Sequence, residues 1–428
     1  MDKAAEVIQA VGLQASRVRY AVLALVCSLS VVSYLDRVGI SGGAPFIVAD
    51  LGLTPVQMGI VFSAFTLAYA SFEVPSGWLG DMIGPRKVIT RIVLWWSGFT
   101  ALTGLMHHFT SLLIVRFLFG AGEAGTYPNA TKVLSRWMPV VERGFGQGMV
   151  WMCGRLGGAL APALVVFMIA RMGWRPTFWI FGVVGLAWGA VFWSWFRDSP
   201  REKSGVNEGE LRIIQGGVAA APRELSGHAH LRAPWSRLLR SGNLWAICWM
   251  YFCMAYGWYF YITWLPTYLN TRGITMAYGG MPLFFGAIGC GLGGLLTDYV
   301  VRRTGSLKNR RYIGSAGFFL GALCMLGSAR VADPLMAVLT ISMASFFGDL
   351  TMGSCWAVCQ DVGHEFSGTV SGAMNCWGNL GGFLSPMVTG FLVQHFANWT
   401  LPIMISGTIF LVGAVLWLRI DPTKSVLE

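Results

Sequence analysis

FTSLLIVRFLFGAGEAGTYPNATKVLSRW, residues 109–137, decides what kind of protein this is. The run is apolar and long enough to cross a bilayer, yet Arg116 and Glu123 sit inside it. At ~1.5 Å of rise per residue the two lie two helical turns apart, on roughly one face of the helix. An ionised side chain at the centre of a membrane helix costs roughly 2.5–3.5 kcal/mol even on the lenient insertion scale. Two of them on one stripe therefore face a protein-lined cavity rather than lipid.

The rest of the composition agrees. Of 428 residues, 55% are apolar and 12% charged, against about 25% charged in a soluble domain. Twelve apolar stretches fall near 20–42, 55–79, 88–107, 110–137, 144–170, 175–196, 243–270, 277–301, 312–330, 334–360, 367–396 and 399–419. Each is near the ~20 residues that a hydrocarbon core requires. No alternation of ~10-residue segments marks a β-barrel, so the expected fold is all-α, with twelve transmembrane helices. The net charge of +11 follows the membrane and is no sign of nucleic acid. Arg17, Arg19, Arg86, Lys87, Arg91, Arg136, Arg143, the 197–240 segment, Arg302, Arg303, Lys308, Arg310, Arg311 and Lys424 share one side of a twelve-span arrangement. The opposite loops hold Arg171, Arg175, Arg272 and Arg330. The positive-inside rule then puts both termini in the cytoplasm of a multi-pass inner-membrane protein. No cleavable leader is expected, because Arg17 and Arg19 run into a segment too long for one and without an A-x-A site. All nine cysteines fall within apolar spans and read as small hydrophobes packing between helices, not as disulfides or metal ligands.

Along the chain, residues 1–16 read as a weakly amphipathic lead-in, and the first span ends in Tyr34-Leu35-Asp36-Arg37. Successive helical residues point ~100° apart, so Asp36 and Arg37 do not share one partner face. The second span carries Tyr69 and, one turn on, Glu73, which reads equally as a gate or a helix contact. Gly77-Trp78-Leu79-Gly80-Asp81-Met82-Ile83-Gly84-Pro85-Arg86-Lys87 follows, a tight reversal with Asp81 placed to meet a helix N-terminus or a basic residue. Asp81 and Arg86 are therefore gating candidates. So is Asp298, in the partial echo Gly294-Leu295-Leu296-Thr297-Asp298 with Arg302 and Arg303.

An internal repeat divides the chain. Gly144-Phe145-Gly146-Gln147-Gly148 through Gly154-Arg155-Leu156-Gly157-Gly158-Ala159-Leu160-Ala161-Pro162 matches Gly368 through Gly372, then Gly378-Asn379-Leu380-Gly381-Gly382-Phe383-Leu384-Ser385-Pro386, at constant offset. The fifth and eleventh spans are thus equivalent, and two six-helix bundles, 1–196 and 243–428, are joined by a polar linker at 197–242. Arg155 pairs with Asn379 under this equivalence. The seventh span is aromatic and broken near Pro266; Tyr256 and Tyr259 are candidates for a lid over a substrate. Asp349, Ser354, Trp356 and Gln360 in the tenth span, and Asn375 and Asn379 in the eleventh, sit in apolar frames and need partners.

The Gly77–Lys87 pattern resembles the signature loop of the major facilitator superfamily, with Met82 where a basic residue is usual. Tyr34-x-Asp36-Arg37, Arg116-Phe117-Leu118-Phe119-Gly120-x-Gly122-Glu123-Ala124, Trp137-x-Pro139-x-x-Glu142-Arg143-Gly144, Thr263-Trp264-Leu265-Pro266-x-Tyr268-Leu269 and Asn375-x-x-Gly378-Asn379 resemble its anion:cation symporter family. That family includes bacterial sugar-acid/proton symporters and the animal sialin and vesicular glutamate carriers. The resemblance implies that Arg37 binds a substrate carboxylate and Arg116 supports the site. It further implies that Asp36 and Glu123 take up the coupling protons, and that Tyr34, Tyr69, Trp356 and Asn375 line the site. Arg155 stands where the galactonate-type branch has a glutamine, which points away from galactonate and to a second anionic group or a differently placed carboxylate, because a guanidinium matches carboxylate as a fork.

The expected function is proton-coupled import of a small organic anion (a uronate, aldonate, aldarate or other dicarboxylate) by a monomer in the bilayer. It needs no cofactor or metal besides the coupling ion, H+. The alternatives are a carrier of aromatic or other non-sugar carboxylates and an organic-anion exchanger. No G-x-x-x-x-G-K-[ST] loop marks an ATP-driven pump, no arginine in the seventh span marks a phosphate exchanger, and no nucleophile–base cluster in the spans marks an enzyme.

Overall fold

The computed structural model describes residues 15–215, 235–265, 268–269, 278, 280–396 and 398–426. Residues 1–14 of the lead-in, Pro266 and Arg272 lie outside them. The first half comprises α1 (Val18–Leu51), α2 (Pro55–Ile83), α3 (Pro85–Thr103), α4 (Phe109–Glu123), α5 (Thr126–Trp137), α6 (Arg143–Met172) and α7 (Trp174–Trp195). Among its described residues the linker holds two short helices, α8 (Glu208–Gln215) and α9 (Trp235–Arg240). The second half comprises α10 (Gly242–Thr263), α11 (Met281–Thr304), α12 (Arg310–Ser328), α13 (Pro334–Asp349), α14 (Met352–Gly363), α15 (Ser367–Phe396) and α16 (Thr400–Arg419). No strand occurs among the described residues.

Seven stretches among the described residues are long and apolar enough by themselves to cross a membrane. The remaining spans fall short for visible reasons. α3 and α12 open on arginines, α10 is built of Trp and Tyr, and the fourth span is interrupted. Large apolar side chains such as Leu67, Leu160 and Val183, each more than 60% exposed, cover the outside. Such a surface suits acyl chains and not water.

Two expected boundaries are corrected. The first span continues past residue 42 to Leu51, and ends where Gly52 turns left-handed (φ 61°) and donates its N–H to the Val48 carbonyl. The stretch 109–137, read above as one crossing, is two helices. Ala124 is extended (ψ 136°) and Gly125 left-handed (φ 86°), and Pro128 has no N–H with which to carry the ladder back across the break. The tenth span breaks in the same place, at Leu350 and Thr351 between α13 and α14. The last residue before each break is a carboxylate, Glu123 or Asp349.

The repeat is visible in three dimensions. α6 and α15 are each 30 residues long, offset by 224 (367 less 143), and each has a proline inside, Pro162 and Pro386. Their glycine faces seat the tyrosines of a neighbour. A methyl at Gly154 or Gly158 would strike Tyr34 of α1; one at Gly378 would strike Tyr251 of α10, and one at Gly382 would strike Tyr259. Glycine also lets the halves touch backbone to backbone, at Gly148 against Cys290 and Gly294, and at Gly77 against Gly368.

These contacts lie toward the face that carries the linker. Glu210 of α8, wholly buried, accepts from the Val18 and Arg19 N–H groups (3.0 and 2.9 Å) and from the Ser16 hydroxyl (2.6 Å). It thereby satisfies the open donors at the start of α1. At the other end of the chain, Asn243 at the head of α10 donates to the Asp421 carbonyl (2.9 Å). The first half begins and the second half ends on one face, as six crossings each require. Replacing Gly148 by leucine forces the α6–α11 backbones apart at an expected cost of about 1–3 kcal/mol. A thermal-unfolding midpoint lower than wild type in detergent checks this; an unchanged one denies the close contact.

Candidate functional site

Buried charge gathers where the two broken spans meet α1, α2, α6 and α15. Glu123, fully buried at the end of α4, accepts from the Ser33 hydroxyl (2.5 Å) and lies 3.3 Å from Arg37 Nη2. The Arg37 guanidinium is aimed past this carboxylate, so the pair is one of charge and leaves donors open. Its Nε and Nη2 have no hydrogen-bond partner in the protein, nor do Glu123 Oε2 and the Tyr69 hydroxyl. The guanidinium carbon stands 4.5 Å from the Tyr69 ring centre, 5.4 Å from that of Phe65 and 5.6 Å from that of Tyr34. With 23% of its side chain exposed against none of Glu123's, Arg37 is the accessible member of the pair.

Asp36 and Arg116 sit behind. Both are buried, Arg116 packs on Phe119 (4.2 Å), and Asp36 lies within electrostatic reach of Arg116 and Glu123 and beside Trp96. Asp36 and Arg37 do point to different partners, as the ~100° helical step requires.

A second pair lies across the interface. Arg155 of α6 donates Nε to Asp349 Oδ2 (3.1 Å) and Nη2 to Oδ1 (2.9 Å), a two-pronged fork, while its Nη1 reaches the Tyr34 hydroxyl (3.0 Å). The carboxylate that Arg155 holds here is the protein's own. Glu73 of α2, also fully buried, crosses to the second half, where Asn375 (2.6 Å) and Asn379 (3.1 Å) of α15 donate to its two oxygens. Aromatic rings fill the space between: Trp151 stacks on Tyr127 (4.4 Å), and Trp356 packs on Trp151 (5.1 Å) and edge-on to Tyr251 (5.9 Å).

The residues named from sequence therefore separate. Tyr34, Asp36, Arg37, Tyr69, Arg116, Glu123 and Arg155 come together, with Trp356 and Asn375, Asn379 on the facing half. Tyr259 lies within electrostatic reach of Arg37, Glu73 and Arg155. Tyr256 is buried against Phe252 (6.4 Å), without such neighbours. Tyr251, two turns before Tyr259 and like it seated on a glycine of α15, meets the Trp356 ring edge-on. Asp349 and Glu73 were visible as buried polar residues, but their roles depend on partners in the opposite half. The position of Asp349 as the counterpart of Glu123 emerges once both spans are seen to break.

The gating candidates also divide. Asp81 accepts from the Gly368 N–H (3.1 Å) and from the N–H and hydroxyl of Thr369 (both 2.7 Å) at the start of α15, and pairs with Lys132 (3.0 Å). Asp298 accepts from the Gly144 (3.0 Å) and Phe145 (2.6 Å) N–H groups at the start of α6, with Arg310 at 3.5 Å. Each half thus caps a helix of the other at positions one repeat apart. Arg86 instead stays within the first half, its N–H on Asp198 (2.9 Å) and its guanidinium over Trp193 (4.3 Å). Asp361, not singled out from sequence, receives Arg143 (2.9 Å) and Arg310 (3.2 Å).

Comparison with known proteins adds a name to the architecture. The family model of the Major Facilitator Superfamily matches residues 26–386. A probable sulfoacetate transporter of Cupriavidus necator is 37% identical over 422 residues, 96% of each chain. A probable L-galactonate transporter of Escherichia coli is 29% identical, covering 95% of this chain and 92% of its own. Among solved structures, a proton:xylose symporter superposes with a TM-score of 0.73 at 17% identity, over 95% of this chain and 96% of that one.

The capping bonds predict how the linker face opens. Asp81→Ala removes a helix cap, worth about 1 kcal/mol. Thiol labelling of the buried Cys359 from that face is expected to rise roughly five-fold. A rate equal to wild type denies that Asp81 holds the halves together.

Proposed function

The chain belongs to the Major Facilitator Superfamily, and on that premise we propose that it is a proton-coupled symporter of a small organic anion. It is a multi-pass membrane protein and a transporter rather than an enzyme. The finer reading rests on one observation: the Arg37–Glu123 pair, where a partly exposed arginine, with two buried guanidinium nitrogens that lack hydrogen-bond partners, stands beside a fully buried carboxylate.

The chemistry follows from charge. A substrate carboxylate on Arg37 takes the place of Glu123 as its counter-ion. Glu123 then keeps only Arg116 nearby, a cation it shares with Asp36, and two buried carboxylates on one guanidinium are a condition that a proton relieves. The wider cluster holds four carboxyls (Asp36, Glu73, Glu123, Asp349) and three guanidiniums (Arg37, Arg116, Arg155), so full ionisation leaves one negative charge in excess before an anion enters. Protons carried with the substrate cancel that charge. They also remove the ~2.3 kcal/mol per 100 mV that an entering monoanion pays against a negative interior. Asp36, behind Arg116, is the second proton site in this reading. The positively charged linker face is cytoplasmic, the membrane is the inner one, and the working unit is a monomer that needs no cofactor.

Which acid is carried has two readings. The sugar-acid reading draws on relatives named for L-galactonate, hexuronate and galactarate/D-glucarate. A non-sugar acid is favoured by one specific observation. Asn375 and Asn379, the amides suited to sugar hydroxyls, both donate to Glu73, and aromatic rings line the rest. The relative named for sulfoacetate, at 37% identity, supports the same choice.

Reconstituted vesicles test the mechanism. With an inward pH gradient, wild type is expected to accumulate labelled organic acid. Glu123→Gln should lose gradient-driven accumulation while still exchanging acid for acid. Full accumulation by Glu123→Gln contradicts the proton role. Arg37→Gln removes a charge-assisted contact of about 1.5–3 kcal/mol, and acid binding measured by calorimetry should weaken roughly 10- to 100-fold.

A further inference from the structure

Arg155 is not waiting for a ligand; it already holds one. Its fork on Asp349, 2.9 and 3.1 Å, is the geometry a carboxylate or sulfonate of a substrate would take, and its third nitrogen is on the Tyr34 hydroxyl. Resting on the anion-carrier reading above, we propose that Asp349 is an intramolecular stand-in for a second acidic group of the substrate. The transported species is then a short anion with two acidic groups, one for Arg37 and one for Arg155.

Three features carry this. The pair joins α6 of the first half to α13 of the second, so it is a latch between halves at the level of the site. It is distinct from the helix caps made by Asp81 and Asp298 at the linker face. Its place is built: a methyl on Gly286 of α11 would fall on Asp349 Oδ2, and the pair is 3% and 1% exposed. It also repeats the Arg37–Glu123 pair, because each carboxylate is the last residue before the break in its span. Tyr34 ties the two sites together, its ring beneath Arg37 and its hydroxyl on Arg155. The two guanidiniums therefore share Tyr34 as a common neighbour, an arrangement that suits one short two-headed acid.

Removing one partner of a buried pair leaves an uncompensated charge, whereas exchanging it for another anion does not. A substrate acid group on Arg155 therefore releases Asp349, and the freed carboxylate binds a proton from the open side. The groups facing Asp349 are Arg155 from α6, Tyr261 from α10, Cys290 from α11 and Cys355 from α14. None of the three besides Arg155 is a cation that would hold it ionised. For a two-headed acid the second proton thus goes to Asp349 in place of Asp36: two acidic groups enter with two protons, on Glu123 and Asp349, and the loaded site gains no net charge.

Calorimetry on the purified full chain decides, with malonate and sulfoacetate as two-headed probes and acetate and gluconate as one-headed ones. Asp349→Asn removes the internal competitor. It is expected to tighten two-headed binding at least five-fold, to leave one-headed binding within two-fold, and to lower proton uptake per two-headed anion from two to one. Arg155→Gln should weaken only two-headed binding, at least ten-fold. Gly286→Ala, which crowds Asp349 off Arg155, should act in the direction of Asp349→Asn and serves if that variant does not fold. Two-headed binding that weakens or stays unchanged in Asp349→Asn and Gly286→Ala overturns the proposal, since a purely structural pair would behave so. If one-headed anions bind and Arg155→Gln does not discriminate, this inference alone fails. If wild type binds no anion of either kind, the carrier reading fails and takes this inference with it.

Discussion

Charge cannot face acyl chains, and the central cluster of this chain holds three arginines and four carboxylates inside apolar helices. That one constraint organises the structure. Each ionisable group must find a partner across a helix–helix contact, from the two broken spans or, for Glu73, from the amides of α15. Glu123 and Asp349 end the first segments of those spans, where the helix backbone is already interrupted. Arg37 and Arg155 meet them there. The site is therefore a consequence of where the helices break as much as of which residues they carry.

The repeat explains why the arrangement can change. Gly154 and Gly158 hold Tyr34 as Gly378 and Gly382 hold Tyr251 and Tyr259. Asp298 caps α6 as Asp81 caps α15. Two bundles built to one plan pack through glycine backbones, a set of polar bonds and, at the centre, the rings of Trp151 and Tyr127 against Trp356. The polar bonds of such a contact are the part that can be exchanged for others. The bonds at the linker face are helix caps with ion pairs beside them, Asp81 with Lys132 and Arg143 with Asp361. Those at the centre include the charge pairs Arg37–Glu123 and Arg155–Asp349, and a charge pair is what an anion and a proton are able to exchange.

Much of this was legible in the residues, for a reason that also marks the limit. Arg116 and Glu123 stand out because an ionised group in an apolar run is costly wherever the helix goes, so composition alone assigns them to an interior. The twelve-span plan and the repeat are legible likewise, since hydrophobic length and glycine spacing are properties of the chain. Partner choice is not. Asp349 meets a residue 194 positions away, and nothing local distinguishes it from a helix-packing carboxylate. Asn375 and Asn379 read as free amides until Glu73 is seen between them. Tyr256 and Tyr251 differ by a helical phase that depends on how α10 is rotated against α15. The break in residues 109–137 turns on Gly125 adopting φ 86°, a backbone choice that apolar periodicity does not report.

The central claim is that an anion's charge is received by Arg37 beside Glu123, between the two bundles. The most direct measurement is a density map of the full chain with a bound organic acid. The account predicts an acid group within hydrogen-bond distance of Arg37, with Glu123 no longer its closest counter-charge. An acid resolved elsewhere, with the Arg37–Glu123 pair undisturbed, would contradict it.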